Sequence, residues 1–474
     1  MSRTSFMIGK FLSVENVGAF FHSKVCAALI AMLLLLGHIF AIEFYLNILI
    51  ILLVSVGLVV GESMLPFITA LCGFIYQISI VHAPGVPTFS YYYFTGARLA
   101  VLILLSAVLL LSLFEFFFVK MRGMCANFGS FSLFWPLVIL SAAFLLNGAF
   151  GGAWRPASFV WGTMQVLVYF LLFYAYIYGT RDVSGAQLLE YVVFMTALLS
   201  LVVSLETFYL YLTRESLFEG GEVVKEEVLY GWGIWNNAGQ HLSVYIPILF
   251  LGVIKYRGWW FYLVCAVLSF VSAVMTLSRT ALIFSSLAFC VGLVLCCFFG
   301  EKRRIFRIGT PILGTVAAVS VFLTRERIFT LLSDYFERGL SDNGRFELWQ
   351  NGISAFLDAP IFGKGFFGLE SDGFSAIDII PMMMHNTVVE LLSACGIFGF
   401  LAYVYYRYTT AKLFFERPSL EKSMIGMAIL VILGGSLLEN FIFYVQPMFY
   451  ISLILAVACR LDSDGKGVPK RAEQ

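Results

Sequence analysis

Apolar runs of membrane-crossing length recur from one end of this chain to the other, and they limit most sharply what it can fold into. A helix needs about 20 mostly apolar residues to cross a bilayer. Such runs fall near 25–41, 44–60, 64–82, 97–118, 131–150, 157–178, 188–212, 239–255, 259–277, 280–299, 308–323, 385–406, 424–438 and 441–460. Some are short enough to merge or re-enter, which gives about 12–14 spans. The least secure divisions fall at Ile42-Glu43 and Glu439-Asn440. Of 474 residues, 60% are hydrophobic and only 12% charged, against about a quarter charged in a soluble domain. The expected fold class is therefore all-α, a polytopic membrane helix bundle surrounded by membrane lipids. The 49 phenylalanines suit lipid-facing helices and interfacial packing. A net charge of +1 gives no reason to expect a nucleic-acid partner.

The start, MSRTSFMIGKFLSVENVGAFFHSK, is basic and leads into a long apolar run without an A-x-A-like site, so a retained first span is expected rather than a cleaved signal. Almost all of the nine cysteines sit inside apolar runs, which argues against a disulfide framework. Cys296-Cys297 reads as lipid-facing packing rather than a redox pair. With the N-terminus placed in the cytoplasm, the positive-inside rule separates the two sides. Lys120, Arg122, Arg181, Lys255, Arg257, the Lys302–Arg307 cluster, the basic residues of 407–422 and the basic tail fall inside. The loops 83–96, 151–156, 213–238 and 324–384 fall outside, the last with nine acids against five bases. No internal repeat, low-complexity segment or separate soluble domain is visible.

The longest break in the apolar pattern runs from Ser341 to Gly399. Its first part reads as an amphipathic helix. Asp342 and Asn343 are good N-cap residues, and Phe346, Trp349, Ile353, Phe356 and Leu357 share one face suited to lying on a membrane. Pro360 and Gly363 end it. Arg345 then stands in the first turn, at the positive end of the helix dipole, where an arginine is electrostatically costly. Either an anion such as phosphate sits there, held by backbone N–H groups and the guanidinium, or Arg345 bridges to Asp342 or Glu347. The two readings are near even. His385-Asn386 opens the next span at the outer interface. A histidine there can act as a general base, although an interfacial polar cap is the commoner role. Arg279, in TLSRTAL between two spans, is either a snorkelling helix-end marker, which position alone favours, or an anion ligand facing a cavity. His22, His38, His82 and His241 read as packing or interface residues, and no histidine or cysteine spacing suggests a metal site. Gly363-Lys-Gly-Phe-Phe-Gly368 matches G-x-G-x-x-G, but it follows a helix in an outer loop. It is expected to form a tight turn back to the membrane, not to bind a nucleotide.

In order and spacing, TLSRTAL, GRFELWQNGISAFLDAPIFGKGFFG and HNTVVELLSACGIFGFLAY resemble the O-antigen ligase and O-antigen polymerase superfamily of bacterial envelope enzymes. The resemblance covers about Leu277 to Tyr403. It extends more weakly to GWGIWNNAGQHLSVYIP (231–247), which is similar to the family's Gly- and Asn-containing lead-in to a membrane helix. It implies a glycosyltransferase-C-like, all-helical, metal-independent fold with no cofactor and one long extracytoplasmic loop. It also implies a donor glycan on undecaprenyl pyrophosphate, an acceptor glycan or lipid, and work at the outer face of the cytoplasmic membrane. The family's arginine before a span, its loop arginine and its loop-end histidine match Arg279 and Arg345, as pyrophosphate ligands, and His385, as the catalytic base. Asn386 and Asn237 are candidate supporting residues. The sequence departs from relatives in the apolar Pro-Met-Met-Met before His385 and in Asn236-Asn237, where they often have Pro-Asn; both bear on the acceptor more than on the reaction class. The division that follows is 1–230 for N-terminal membrane helices, 231–460 for the ligase-like region with its loop 324–384, and 461–474 for a cytoplasmic tail. Ligase and polymerase remain unseparated. A lipid-linked oligosaccharide flippase or transporter is the alternative of another class, but it predicts charges deep in several spans and internal pseudo-symmetry.

Overall fold

The computed structural model describes residues 14–40, 42–74, 80–83, 86–91, 96–120, 132–150, 155–219, 222–224, 228–230, 233–323, 325, 344–368 and 384–464. Every apolar run named above has its helix. These are α2 (Lys24–Phe40), preceded by the short α1 (Val14–Phe21), then α3 (Glu43–Val59), α4 (Leu65–Phe74), α5 (Gly96–Phe114) and α6 (Phe134–Leu145). There follow α7 (Pro156–Gly179), α8 (Gly185–Thr213), α9 (Trp235–Lys255), α10 (Trp259–Met275), α11 (Arg279–Phe298) and α12 (Arg303–Leu323). The loop helix is α13 (Arg345–Asp358), and α14 (Thr387–Phe415), α15 (Leu420–Gly435) and α16 (Val445–Asp464) complete the bundle. Among the described residues, six helices are long and apolar enough to cross a membrane, and four shorter apolar ones accompany them. The chain is a helical integral membrane protein.

Two runs are much shorter as helices than as apolar stretches. The run at 64–82 gives only the ten residues of α4, and Ile80–Ala83 pairs with Val86–Tyr91 in an antiparallel hairpin. β-branched residues there favour extended backbone over helix. The run at 131–150 gives the twelve residues of α6. Two further two-residue hairpins, Phe218–Glu219 with Glu222–Val223 and Leu229–Tyr230 with Gly233–Ile234, lead into α9.

The centre of the bundle is α9, which packs against α8, α10, α11 and α15. Buried residues make up 89% of its apolar window, against 28% for α11, which places α9 in the core and α11 toward lipid. The eight described cysteines are all free thiols. Cys296 is buried rather than lipid-facing, a correction to the sequence reading, while Cys297 donates to the Leu293 carbonyl. In helix geometry the two adjacent side chains point to different sides, so one can face inward.

The Gly363–Gly368 stretch is more deeply placed than an ordinary turn. It is wedged into a break in α14. Gly396 has φ 64° and ψ −163°, which interrupts the helix and leaves carbonyls without intrahelical partners. The inserted chain supplies them: Lys364 N–H donates to Ser393 O at 2.8 Å and Gly365 N–H to Ala394 O at 3.0 Å. In return, the N–H groups of Ile397 and Phe398 donate to Pro360 O and Ile361 O. On its other side the insert is bound by Asn147 and Ser158, which accept from Phe366 N–H and Phe367 N–H. A Cβ on Gly363 would lie 2.4 Å from the Ala394 carbonyl carbon, so the close approach itself requires glycine. Irregular backbone at this depth is tolerable because protein groups satisfy it on both sides.

Candidate active site

The loop helix begins later than the sequence suggests. Its N-cap is Gly344, at φ 76° and without a side-chain cap, and Asp342 and Asn343 lie outside the described residues. Its faces also divide differently. Gly352 and Ala355 are buried, with Gly352 seated against Val389 of α14 and Met384 just before it. Trp349 donates from its indole nitrogen to Met384 O at 2.9 Å. Phe346, Ile353 and Leu357 stand away from the protein. Small residues thus let α13 sit close on α14, and only part of the expected apolar stripe is left to face outward.

Arg345 does not bridge to Glu347, two residues on. Its guanidinium donates to Glu439 Oε1 at 2.9 Å, across 94 residues of sequence. His385 Nδ1 meets the other oxygen of the same carboxylate, Oε2, at 2.7 Å. A carboxylate can only accept here, so Nδ1 carries the hydrogen and Nε2 is left as the basic nitrogen. Asn236 donates to Glu439 Oε1 at 3.2 Å. Three donors from three separate elements thus converge on one carboxylate that is 8% exposed. The sequence reading missed Glu439 as a functional residue; its only local mark is a Glu-Asn pair between two apolar runs.

A second carboxylate fixes the spacing. Glu390, buried in the first turn of α14, accepts from the Met384 backbone N–H and from Asn440 Nδ2, both at 2.7 Å. Those are the chain neighbours of His385 and Glu439, so one side chain clamps both halves of the site. Thr387 donates twice, from N–H and hydroxyl, to Ser436 O. Between these ties His385 is held at φ 50°, a left-handed conformation costing about 1–2 kcal/mol for a side-chain-bearing residue. The surrounding bonds carry that strain, as is common where a catalytic group must be aimed.

Asn386 is the N-cap of α14. Its Oδ1 accepts from Val388 and Val389 N–H, and its Nδ2 donates to Leu437 O, so the side chain is occupied in building the helix start. Asn237 accepts at its backbone carbonyl from His241 Nδ1 at 2.8 Å; it is Asn236, not Asn237, that reaches Glu439. Arg279 is half-buried in the first turn of α11, after the Ser278 N-cap. That turn packs on the first turns of α9. A Cβ on Gly239 would lie 2.5 Å from Ala281 Cβ, and Ser243 donates to Ala281 O. Gly239 is one turn from Asn236, so Arg279 is set at the same end of the bundle as the Glu439 cluster, on a neighbouring element.

A cationic guanidinium and an imidazole whose Nε2 has no partner among the described residues, around one buried carboxylate, suit a site that grips an anion and moves a proton. Residues 264–404 match a family model described as O-antigen ligase. No curated protein sequence matches the chain. The matched segment contains Arg279, Arg345 and His385 and stops short of Glu439. Residues 264–404 are thus similar to the O-antigen ligase family, and this segment, set in a bundle with membrane-crossing helices, supports an O-antigen ligase- or polymerase-like, glycosyltransferase-type function in surface polysaccharide synthesis.

Proposed function

We propose that the protein transfers a glycan from undecaprenyl pyrophosphate to an acceptor hydroxyl at the outer face of the cytoplasmic membrane, with inversion at the anomeric carbon. The observation that carries this is the meeting of Arg345 and His385 on one carboxylate. In the resemblance these residues are the loop pyrophosphate ligand and the base, and they come from elements 40 residues apart. As the glycosidic bond breaks, negative charge grows on the departing pyrophosphate. Arg345, with Arg279 at the same end, is suited to stabilise it in a partly dry cavity. The uncapped first turn of α13 adds backbone N–H groups beside Arg345. His385 Nε2 takes the proton of the acceptor hydroxyl as its oxygen attacks.

Opposite ends of the bundle support the sidedness. The described ion pairs Lys24–Glu190, Lys120–Glu62, Lys255–Glu421 and Lys422–Asp462 all join segments on the side taken as cytoplasmic. Arg345–Glu439 and Lys364–Asp358 join segments on the side taken as external. The insert at Gly363–Gly368 and the Trp349–Met384 bond fix α13 as a platform over the site, where it would limit water. The test is to replace Arg345 and His385 by alanine in cells and probe surface polysaccharide. Both variants should insert normally and lose full-length polymer. Normal polymer from both would reject the proposal.

A further inference from the structure

We propose that Glu439 couples donor binding to acceptor activation. It holds Arg345 and His385 together in the free enzyme, then releases Arg345 to the arriving pyrophosphate while keeping His385. The inference rests on the glycan-transfer reading and adds to it a positioning residue and an order of events.

Anchoring decides which partner can leave. The Glu439 side chain is 8% exposed, against 31% for Arg345 and 36% for His385, but His385 is held on both sides by the bonds of Met384 to Glu390 and of Thr387 to Ser436 O. Glu439 is also anchored from behind, because its neighbour Asn440 is clamped by Glu390. Arg345 sits in the first turn of a surface helix whose firm contacts lie further along, at Trp349, Gly352 and Ala355. A pyrophosphate offers the guanidinium more charge and a bidentate grip than one carboxylate oxygen does. Once Arg345 moves, Glu439 is still satisfied by Asn236 on Oε1 and His385 on Oε2.

The exchange changes what His385 can do. With Arg345 docked, the carboxylate charge is already matched by a guanidinium. With Arg345 on the donor, that charge is free to balance the imidazolium that forms when Nε2 accepts a proton, as the buried carboxylate of a hydrolase triad does. The acceptor O–H proton passes to His385 Nε2, and the acceptor oxygen bonds to the anomeric carbon. The bond from that carbon to the pyrophosphate oxygen breaks, and its electron pair leaves with undecaprenyl pyrophosphate. An empty donor site thus leaves the base unsupported, which suppresses idle proton transfer.

The test uses the full-length protein in lipid nanodiscs, with undecaprenyl pyrophosphate as the binding probe and lipid-linked glycan plus acceptor for turnover. Glu439→Gln should bind the probe about tenfold more tightly, because Arg345 no longer has a competing anion. Its kcat should fall on the order of 100-fold. In an Arg345→Ala background the tightening should vanish. Glu439→Asp, which keeps the charge, should recover part of the lost kcat, whereas a purely structural role would not follow the charge. Unchanged affinity in Glu439→Gln, or equal tightening with and without Arg345, would overturn the coupling. A wild-type protein that transfers no glycan would overturn the functional reading instead.

Discussion

The two polar ends of the bundle handle charge in opposite ways. At the end taken as cytoplasmic, cations and carboxylates pair one to one: Lys24 with Glu190 at 2.5 Å, Lys120 with Glu62 at 2.6 Å, Lys255 with Glu421, and Lys422 with Asp462 at 2.9 Å. At the other end Lys364 also pairs singly with Asp358, but at the candidate site Glu439 serves Arg345, His385 and Asn236 together. The first arrangement uses each cation to tie two segments that are distant in sequence. The second gathers more positive and proton-bearing groups than one carboxylate can match, which leaves capacity for an incoming anion. Both ends are polar, so polarity does not mark the site; the ratio of donors to acids does.

The comparison is broken most directly at its ionisable centre. His385→Ala should lower the transfer rate about 10²–10⁴-fold while the protein remains inserted and monodisperse. Turnover of purified protein with lipid-linked glycan checks this, and a loss of less than tenfold would mean that another group takes the proton. Lys422→Ala tests the opposite end. Lys422 is 3% exposed, and its ammonium donates to Leu413 O, Arg417 O and Asp462 Oδ1, using all three hydrogens. Removing it should destabilise the fold by about 3–5 kcal/mol. The expected result is a lower melting temperature and yield, with turnover per folded molecule unchanged. If turnover falls without loss of stability, the two ends are not functionally separate.

What was legible in the sequence follows the range of the interactions. The apolar runs specify helices locally, and each has its helix, down to the doubtful divisions. Ile42 does separate α2 from α3, and Glu439-Asn440 does separate α15 from α16. Arg345 and His385 were visible because helix starts and span boundaries are local signals. Glu439 was not, since its partners are 94 and 54 residues away and nothing in its neighbourhood announces them. The break in α14 was hidden for the same reason. The stretch Ser393–Phe400 reads as continuous apolar helix, and only the distant Pro360–Gly365 segment supplies the bonds that make an interruption at Gly396 tolerable. Asn236 and Asn237 are indistinguishable by sequence, because helix phase alone decides which one faces Glu439.

Arg279→Lys gives a smaller effect and sharpens the account of the anion site. A lysine keeps the charge in the first turn of α11 but replaces the planar five-donor fork with a point charge. If Arg279 grips pyrophosphate through paired N–H bonds, donor KM should rise about tenfold, near 1.4 kcal/mol. If it only marks the helix end, the lysine would serve equally well and donor KM would not move.

The smallest effect is expected at Lys24. Its pair with Glu190 is among the shorter ones at that end, yet the two side chains are 42% and 45% exposed. Lys24 also lies 5.5 Å from the Phe194 ring centre, another contact open to solvent. Water and salt screen such a pair, so Lys24→Ala should cost about 0–1 kcal/mol. Set beside Lys422, whose ion pair is longer but buried, it separates distance from burial as the source of stability. Thermal unfolding in detergent at low and high salt makes the measurement. A loss at Lys24 as large as that at Lys422 would mean that exposed pairs also hold this end together, and the one-to-one ties would then count by number rather than by burial.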